Sequence, residues 1–287
     1  MEEIPLPGAV VPETLMDIEE DEFLLLRDLI HRNFGIHLGE TKRALLVRRL
    51  QQWLTNNGFR CFRDYYRHLS EDGDDQSFAE LANRITTNYT FFNREPEHFS
   101  FFRTAVLPEL ARVHAGKRNL NLWSAGVSTG EEAYMLAMCL MDFFGRDYPL
   151  WRTSMLATDI SKRALERAEH GLYHEKQVHK LPDQVREAYF DSGEGNQYRV
   201  KPIVRREVTF KRLNLHLADY GLGQFFDVIF CRNVMIYFDQ GVKEQVTAKL
   251  HQCLRPGGYL FIGHSESLAG NRKKWESMGP SIFRKRS

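Results

Sequence analysis

From residue 118 onward the chain alternates short apolar runs with helical stretches, and this alternation limits its fold more than any other feature. LNLW (Leu120 to Trp123) and SMLAT (Ser154 to Thr158) have strand length and are separated by one helical stretch, Glu131 to Phe144. Further runs follow at VTFKRLNL (208 to 215), FDVIFCRN (226 to 233) and GYLFIG (258 to 263), and a helix carrying Val242, Val246, Leu250 and Leu254 separates the last two. Parallel strands need crossovers of this kind, so the pattern predicts an α/β chain with a doubly wound, mainly parallel sheet. Between Gly171 and Glu207 the alternation is interrupted by a Gly-rich turn, SGEGN, and two β-prone pieces, YRV and IVRRE. A small inserted antiparallel subdomain is expected at 171–207.

Ahead of the alternation, residues 21 to about 115 read as helical. Phe23, Leu26, Leu29/Ile30 and Phe34 recur at helical spacing until Gly35. A second helix is predicted from about Thr41 to Asn57, with Leu46, Leu50, Trp53 and Leu54 on one face. Lys42, Arg43, Arg48 and Arg49 crowd its first half. Shorter patterns follow around Tyr65/Tyr66/Leu69 and Phe78/Leu81/Ile85. The expected organisation is a flexible segment (1–20), a helical domain (21–87), a linker (88–117) and a sheet domain (118–287).

The chain is 43% hydrophobic and 27% charged, a composition that folds rather than stays disordered. Its formal net charge of +1 supplies no global attraction to nucleic acid or anionic membrane, so any basic recognition surface must be local. Cys61, Cys139, Cys231 and Cys253 show neither CxxC spacing nor the density of a secreted scaffold and read as reduced thiols. The first twenty residues are acidic and Pro-interrupted, unlike a secretory signal, and no apolar run approaches a membrane span. A cytoplasmic protein without direct membrane insertion is expected.

In a doubly wound sheet, ligands bind beyond the carboxyl ends of the strands, so the strand ends are the places to look. The first reads WSAGVSTGEEAY, where Ala125, Gly126, Ser128 and Gly130 would let a ligand approach the backbone. Ser128 and Glu131 have capping-box spacing for the next helix. It is neither a GxGxxG fingerprint nor a P-loop. The second end is Asp159, followed by Ser161 as a candidate helix cap. A carboxylate there can accept hydrogen bonds from both ribose hydroxyls of a nucleoside, or it can simply cap the helix. Together, acid and loop suggest a nucleoside cofactor without a pyrophosphate.

The third end, FDVIFCRNVMIYFD, places Arg232 and Asn233 after a continuous apolar strand, with Tyr237 four residues beyond Asn233. Polar groups at a buried terminus need partners, so a ligand pocket is the expectation, with core packing the alternative for Tyr237. The later CLRPGGYLFIG gives a helix, a Pro-Gly-Gly turn and a strand, an arrangement common in class I methyltransferases. Upstream, TTNYTFFNREPEHF interleaves Asn88, Thr90 and Arg94 with Tyr89, Phe91 and Phe92, and reads either as an interdomain linker or as a pocket wall.

TTNYTFFNRE, WSAGVSTGEEAYMLA, ATDI, CRNVMIYFD, LRPGGYLFIGHSES and the early KRALLVRRL resemble the CheR family of chemotaxis receptor methyltransferases, in order and over roughly residues 20 to 285. The resemblance implies an all-helical N-terminal domain, a class I (Rossmann-like) methyltransferase domain and a small antiparallel β subdomain inserted in it. It implies S-adenosylmethionine as cofactor and S-adenosylhomocysteine as product. By similarity Asn88, Thr90 and Arg94 contact the cofactor, Glu131 its methionine amino end, Asp159 its ribose, and Asn214 with Leu215 its adenine side. Arg232 and Asn233 complete that pocket. Two departures are visible. Asn93 stands before Arg94 where the family carries a Phe-Arg pair, and the loop in SGEGNQYRV is about three residues short.

The implied reaction is in-line attack of a receptor glutamate on a sulfonium methyl group. A glutamate is already anionic at neutral pH (unperturbed pKa about 4.3), so alignment and desolvation suffice and no general base is needed. Arg94 and Tyr237 are the expected catalytic positioning groups, one holding the carboxylate electrostatically and the other by a hydrogen bond. No metal is expected, because His264, His251 and the other histidines show no ligand spacing with acids or cysteines. The basic cluster Lys42, Arg43, Arg48 and Arg49 is either a solvated helix face or a dock for the cytoplasmic helical domain of chemoreceptors. The short loop predicts methylation independent of a C-terminal receptor pentapeptide. Two other functions compete: a nucleic-acid methyltransferase, disfavoured by the neutral charge and by CRNVMIYF in place of an NPPY-like tetrapeptide, and a non-catalytic sensor of S-adenosylmethionine, disfavoured by Arg94, Asp159 and Tyr237.

Overall fold

The structure, a computed structural model, describes residues 16–268, 270 and 272–286. Helices α1 (Glu20–Phe34), α2 (Arg43–Asn56), α3 (Phe62–Glu71) and α4 (Asp75–Ile85) form the N-terminal domain. Their apolar stripes meet in one core that includes Phe23, Leu26, Ile30, Leu50, Leu54, Phe62 and Leu81. Glu22 fixes the start of α1 by accepting the N–H groups of Glu19 and Arg63, each at 2.9 Å. Gly35 ends it at φ 69°, and its N–H reaches His31 O at 2.8 Å. A Cβ at Gly35 would lie 2.8 Å from Val242 and 2.9 Å from His216, so this glycine both stops the helix and lets it touch the sheet domain. The expected flexible segment does not extend to residue 20: Ile18 is buried in the helical core because it continues the apolar face of α1. Residues 1–15 of that segment lie outside the described residues.

The stretch expected as a linker, 88–117, is largely helical, in accord with the helical reading of residues 21 to about 115. Residues 96–113 are helical: α5 (Pro96–Phe101), one π-turn (Phe102–Val106) and α6 (Leu107–Val113). Pro108 has no N–H to give, and the widened turn, closed by Leu107 N–H on Phe102 O, carries the helix past it. Phe99, Phe102, Val106, Leu107 and Leu110 are buried in the core of the sheet domain.

That domain runs β1 (Asn119–Ala125), α7 (Glu131–Phe144), β2 (Arg152–Asp159), α8 (Lys162–His170), β3 (Leu172–His174), α9 (Glu175–Val178), α10 (Asp183–Tyr189), β4 (Phe190–Ser192), β5 (Gln197–Val200) and α11 (Pro202–Arg205). It continues through β6 (Val208–Arg212), β7 (Phe226–Cys231), α12 (Gln240–Cys253), β8 (Leu254–Ile262), β9 (Trp275–Gly279) and β10 (Ile282–Lys285). The large sheet has the order β6-β2-β1-β7-β8-β10-β9, parallel from β6 to β8, with β10 antiparallel to both its neighbours. A separate antiparallel sheet, β3-β5-β4, is the inserted subdomain. β8 starts at Leu254 rather than at the expected 258, because Leu254 pairs with Phe226 before the register shifts.

Every residue of β7 is buried. Val228 and Phe230 face a core shared with Phe102 and Tyr134, while Ile229 and Cys231 face the opposite core with Val246 and Leu250 of α12. Two-sided burial explains the unbroken apolar run. Strand order turns at β1, with β2 and β6 on one side and β7 and β8 on the other, which opens a crevice at the carboxyl ends of β1 and β7. No helix among the described residues is long and apolar enough to cross a membrane.

Candidate functional site

A cavity occupies that crevice, floored by strand ends and roofed by the helical domain. The floor comprises Gly126 to Ser128 after β1, Asp159 and Ile160 at β2, Leu213 to Leu215 after β6, and Arg232 to Val234 after β7. Residues 85–91 and Arg94 form one wall, and residues 36–38, Lys42, Leu45 and Arg49 close the top.

At the β1 and β2 ends the polar groups settle locally. Asp159 Oδ2 accepts Ser128 N–H at 2.8 Å and Oδ1 accepts Ser161 N–H at 2.9 Å. Burial pushes the Asp159 carboxyl above its ordinary range, with the two amides acting against that. A carboxylate offers about four acceptor positions, so two remain for a diol. The Ser128 hydroxyl, also on the cavity wall, is buried without a partner among the described residues. A spare acid and an orphaned hydroxyl fit the ribose end of a nucleoside cofactor. Ser161 does cap α8, accepting Ala164 N–H at 3.1 Å.

The capping box expected from Ser128 and Glu131 does not form. Ser128 has φ 55°, and α7 is preceded by Gly130 at φ 95°, which makes no side-chain cap. Glu131 turns away from the cavity, is fully buried, and accepts hydrogen bonds from Thr129 (2.7 Å) and Gln177 (3.0 Å). Its neighbour Glu132, about 100° further round the helix, lines the cavity instead. Gly126 also differs from its expected use: a Cβ there would lie 2.2 Å from Val234, so the missing side chain admits the loop after β7.

At the β7 and β8 ends the partners come from far along the chain. Buried Arg232 donates to Glu95 Oε2 through Nε (3.2 Å) and Nη2 (2.9 Å), to Glu132 Oε2 through Nη1 (3.0 Å), and to the carbonyl of Arg94. Glu132 also receives Ser124 Oγ at 2.7 Å, and burial dominates to push its carboxyl up. Burial would raise Glu95 as well, but Arg232 outweighs it and holds that carboxyl below its ordinary range. Glu95 Oε1 accepts Asn233 Nδ2 and His264 N–H, each at 3.3 Å. Buried His98 lies beside this network, 3.4 Å from Glu95, with its pKa lowered to about 4 by burial and by Arg232. Glu95, His98 and His264 bring ligand atoms within 4.8 Å of one another, the grouping of that kind among the described residues. Both Glu95 oxygens are already engaged and Arg232 adds a fixed positive charge, so the set does not fit a metal ion.

Asn88, Thr90, Arg94, Asp159, Asn214, Leu215, Arg232, Asn233 and Tyr237 all line the cavity; Glu131 does not. Asn214 reaches it with its amide already committed, donating to Asn33 O at 2.7 Å and accepting His216 N–H at 2.9 Å. Arg94 spends one donor on Tyr89 O at 3.0 Å and lies 5.9 Å from the Tyr89 ring. Tyr237 sits in a 3-10 turn, Met235–Tyr237, whose carbonyl end is held by His37 N–H at 2.8 Å, and its hydroxyl makes no hydrogen bond among the described residues.

The basic cluster divides. Arg43 bonds Ile18 O, and Arg49 bonds Ile85 O and Thr87 Oγ1 while lining the cavity, so these two tie segments together. Lys42 and Arg48 are exposed and unpaired among the described residues. Sequence reasoning passed over Glu95, Glu132 and Glu266. Glu132 had no signal separating it from Glu131, whereas Glu95, adjoining Arg94 and preceding Pro96, could have been flagged as a helix-start acid.

A doubly wound sheet of this strand order, with a small-residue loop after β1 and an acid ending β2, defines a class I, S-adenosylmethionine-dependent methyltransferase. The chain belongs to the CheR family: residues 88–283 match the CheR methyltransferase SAM binding domain and residues 21–86 the CheR methyltransferase all-alpha domain. It is 36% identical to a chemotaxis protein methyltransferase of Borreliella burgdorferi, covering 94% of this chain and 96% of that one. It is 34% identical to the chemotaxis protein methyltransferase of Escherichia coli (93% and 91% covered) and to chemotaxis protein methyltransferase 2 of Pseudomonas aeruginosa (96% and 97%). The activity is therefore S-adenosylmethionine-dependent methylation in chemotaxis.

Proposed function

We propose that the chain methylates glutamate side chains on the cytoplasmic helical domain of chemoreceptors, giving glutamate methyl esters and S-adenosylhomocysteine for adaptation. One observation carries this reading. The carboxylates facing the cavity, Asp159 and Glu132, are already bound, one by amides and the other by Arg232 and Ser124, while Arg94 keeps most of its donors and Tyr237 its hydroxyl. With the remaining lone pairs of Asp159 given to the ribose diol and Glu132 held by Arg232, no carboxylate is left over as a base while donors remain, which suits a nucleophile that arrives as an anion.

S-adenosylmethionine, when bound, supplies a methyl group on a sulfonium. The chain's own residues hold its three parts: Asp159 and Ser128 the ribose, Asn214 and Leu215 the adenine side, and Glu132, in place of Glu131, the methionine end beside Asn88, Thr90 and Arg232. Arg94 and Tyr237 orient the incoming carboxylate, and the roof from the helical domain excludes water and strengthens those contacts. The test is transfer of labelled methyl groups to chemoreceptor cytoplasmic fragments. Base-labile label supports the ester, and base-stable label or none overturns it.

Docking is assigned to Lys42 and Arg48, which are free to meet acidic receptor helices. Arg48→Glu should raise the receptor KM and flatten its salt dependence, and an unchanged KM removes Arg48 from docking. The β4–β5 connection is only Gly193 to Asn196, and a peptide strand added beside it would find little loop to grip. Methylation should accordingly survive deletion of the receptor's C-terminal pentapeptide. Its abolition, with micromolar binding of the peptide by calorimetry, would refute independence.

A further inference from the structure

Behind Tyr237 stands an acid outside the cavity lining. Glu266 follows the end of β8, and its carboxylate gathers three backbone N–H groups from two loops. Oε2 accepts Gly263 N–H at 2.5 Å and Asn233 N–H at 2.9 Å, and Oε1 accepts Ile236 N–H at 3.2 Å. We propose that Glu266 is a positioning residue for methyl transfer, setting the 3-10 turn that presents Tyr237; this rests on the reading of Tyr237 as the group that orients the substrate carboxylate.

His37 N–H ties the far end of the turn at Tyr237 O, and side chains add little to its middle. Within Met235–Tyr237 only Met235 is buried, and Ile236 is 45% exposed, so side-chain packing fixes one residue of three. The approach to the turn is strained, because Asn233 takes φ 59° without being glycine. Such a conformation persists when its surroundings over-determine it, and Glu266 together with Glu95, which accepts Asn233 Nδ2, does so. Gly263 makes the clamp possible. A Cβ at that position would lie 2.5 Å from Asn233 Nδ2, 2.9 Å from Asn233 N and 2.9 Å from Glu266 Oε2, so the two loops touch only because the side chain is missing. Carboxylate-to-amide bonds are stronger than neutral ones, and three on one group leave the loop few alternatives.

The two oxygens have different duties, which makes the idea testable. In Glu266→Gln the carbonyl oxygen can keep Gly263 and Asn233 at the Oε2 position. The amide NH2 then faces Ile236 N–H, donor against donor, and the turn must shift. We expect E266Q to bind S-adenosylhomocysteine with an affinity within about threefold of the parent by calorimetry, while kcat on a chemoreceptor cytoplasmic fragment falls roughly tenfold, as for loss of a contact made in the transition state. Tyr237→Phe should lower kcat similarly, and the double variant E266Q/Y237F should be no worse than Y237F, since both act through one hydroxyl. If Y237F lowers kcat and E266Q does not, the proposal falls while Tyr237 keeps its role. Full multiplication of the two effects also overturns it. If Y237F alone is silent, the reading of Tyr237 fails, and the proposal with it.

Discussion

At the carboxyl ends of β1 and β2, polar groups find partners close by: Asp159 is met by Ser161, two residues on, and by Ser128 on the adjacent strand end. At the ends of β7 and β8 they find them across the chain: Arg232 reaches back 137 positions to Glu95, and His264 reaches back 169 to the same residue. The first region pairs an acid with backbone amides and keeps lone pairs for a ligand. The second pairs charge with charge in a buried place and keeps almost nothing spare. The first region is held by one loop and one strand end, whereas the second is locked by several segments at once.

The largest expected effect lies in the second region. Arg232→Met should destabilise the fold by about 3–5 kcal/mol, because it strands Glu95 and Glu132 without their partner. Denaturant unfolding checks this, and a loss under 1 kcal/mol would mean that the network is not structurally important.

Next is a pH effect at the same end. Burial and Arg232 hold His98 neutral, its pKa lowered to about 4, with Glu95 and His264 facing it. Because the folded-state value is depressed, the unfolded chain binds the extra proton first. The stability is fully present above pH ~6.5 and lost as pH falls toward 4, up to about 3 kcal/mol. His98→Leu should flatten that part of the stability–pH curve measured by thermal unfolding. An unchanged slope assigns it to other groups.

Two smaller effects sharpen the first region. Asp159→Ala should cost more than about tenfold in affinity for both S-adenosylmethionine and S-adenosylhomocysteine, since the ribose is common to them and one tenfold step is ~1.4 kcal/mol. Unchanged calorimetric affinity in a folded variant would remove Asp159 from the cofactor site. Ser161→Ala removes the cap of α8 and should cost only about 1 kcal/mol of stability, leaving cofactor affinity nearly unchanged. A loss as large as that of Arg232→Met would erase the contrast between the regions.

Much of this was legible from residues alone, and the misses share a cause. Periodicity marked α7 as Glu131–Phe144, because a buried helix between two apolar runs has few alternatives. At 96–113 the helical reading and the linker reading overlapped, and the helix prevailed: Phe99, Phe102, Val106 and Leu110 have helical spacing, and a π-turn absorbed Pro108. Choosing between Glu131 and Glu132 needed the direction of one helix face relative to the sheet, which no local pattern contains. Arg43 and Arg49 looked like a surface patch because charge in a sequence does not reveal which carbonyl will be near.

The sequence by itself determined the doubly wound sheet, the helical domain before it, the insert, and the strand ends where a nucleoside cofactor would lie. These follow from which residues avoid water and from where the chain must turn, both properties of short segments. Only the tertiary structure decided which acids face the cavity, that Arg232 is held by Glu95 and Glu132, and that Glu266 gathers the loops under Tyr237. Apart from Gly263, three residues from Glu266, those pairings join residues between 30 and 137 positions apart. Their energies depend on burial and distance, which exist only once the segments have packed.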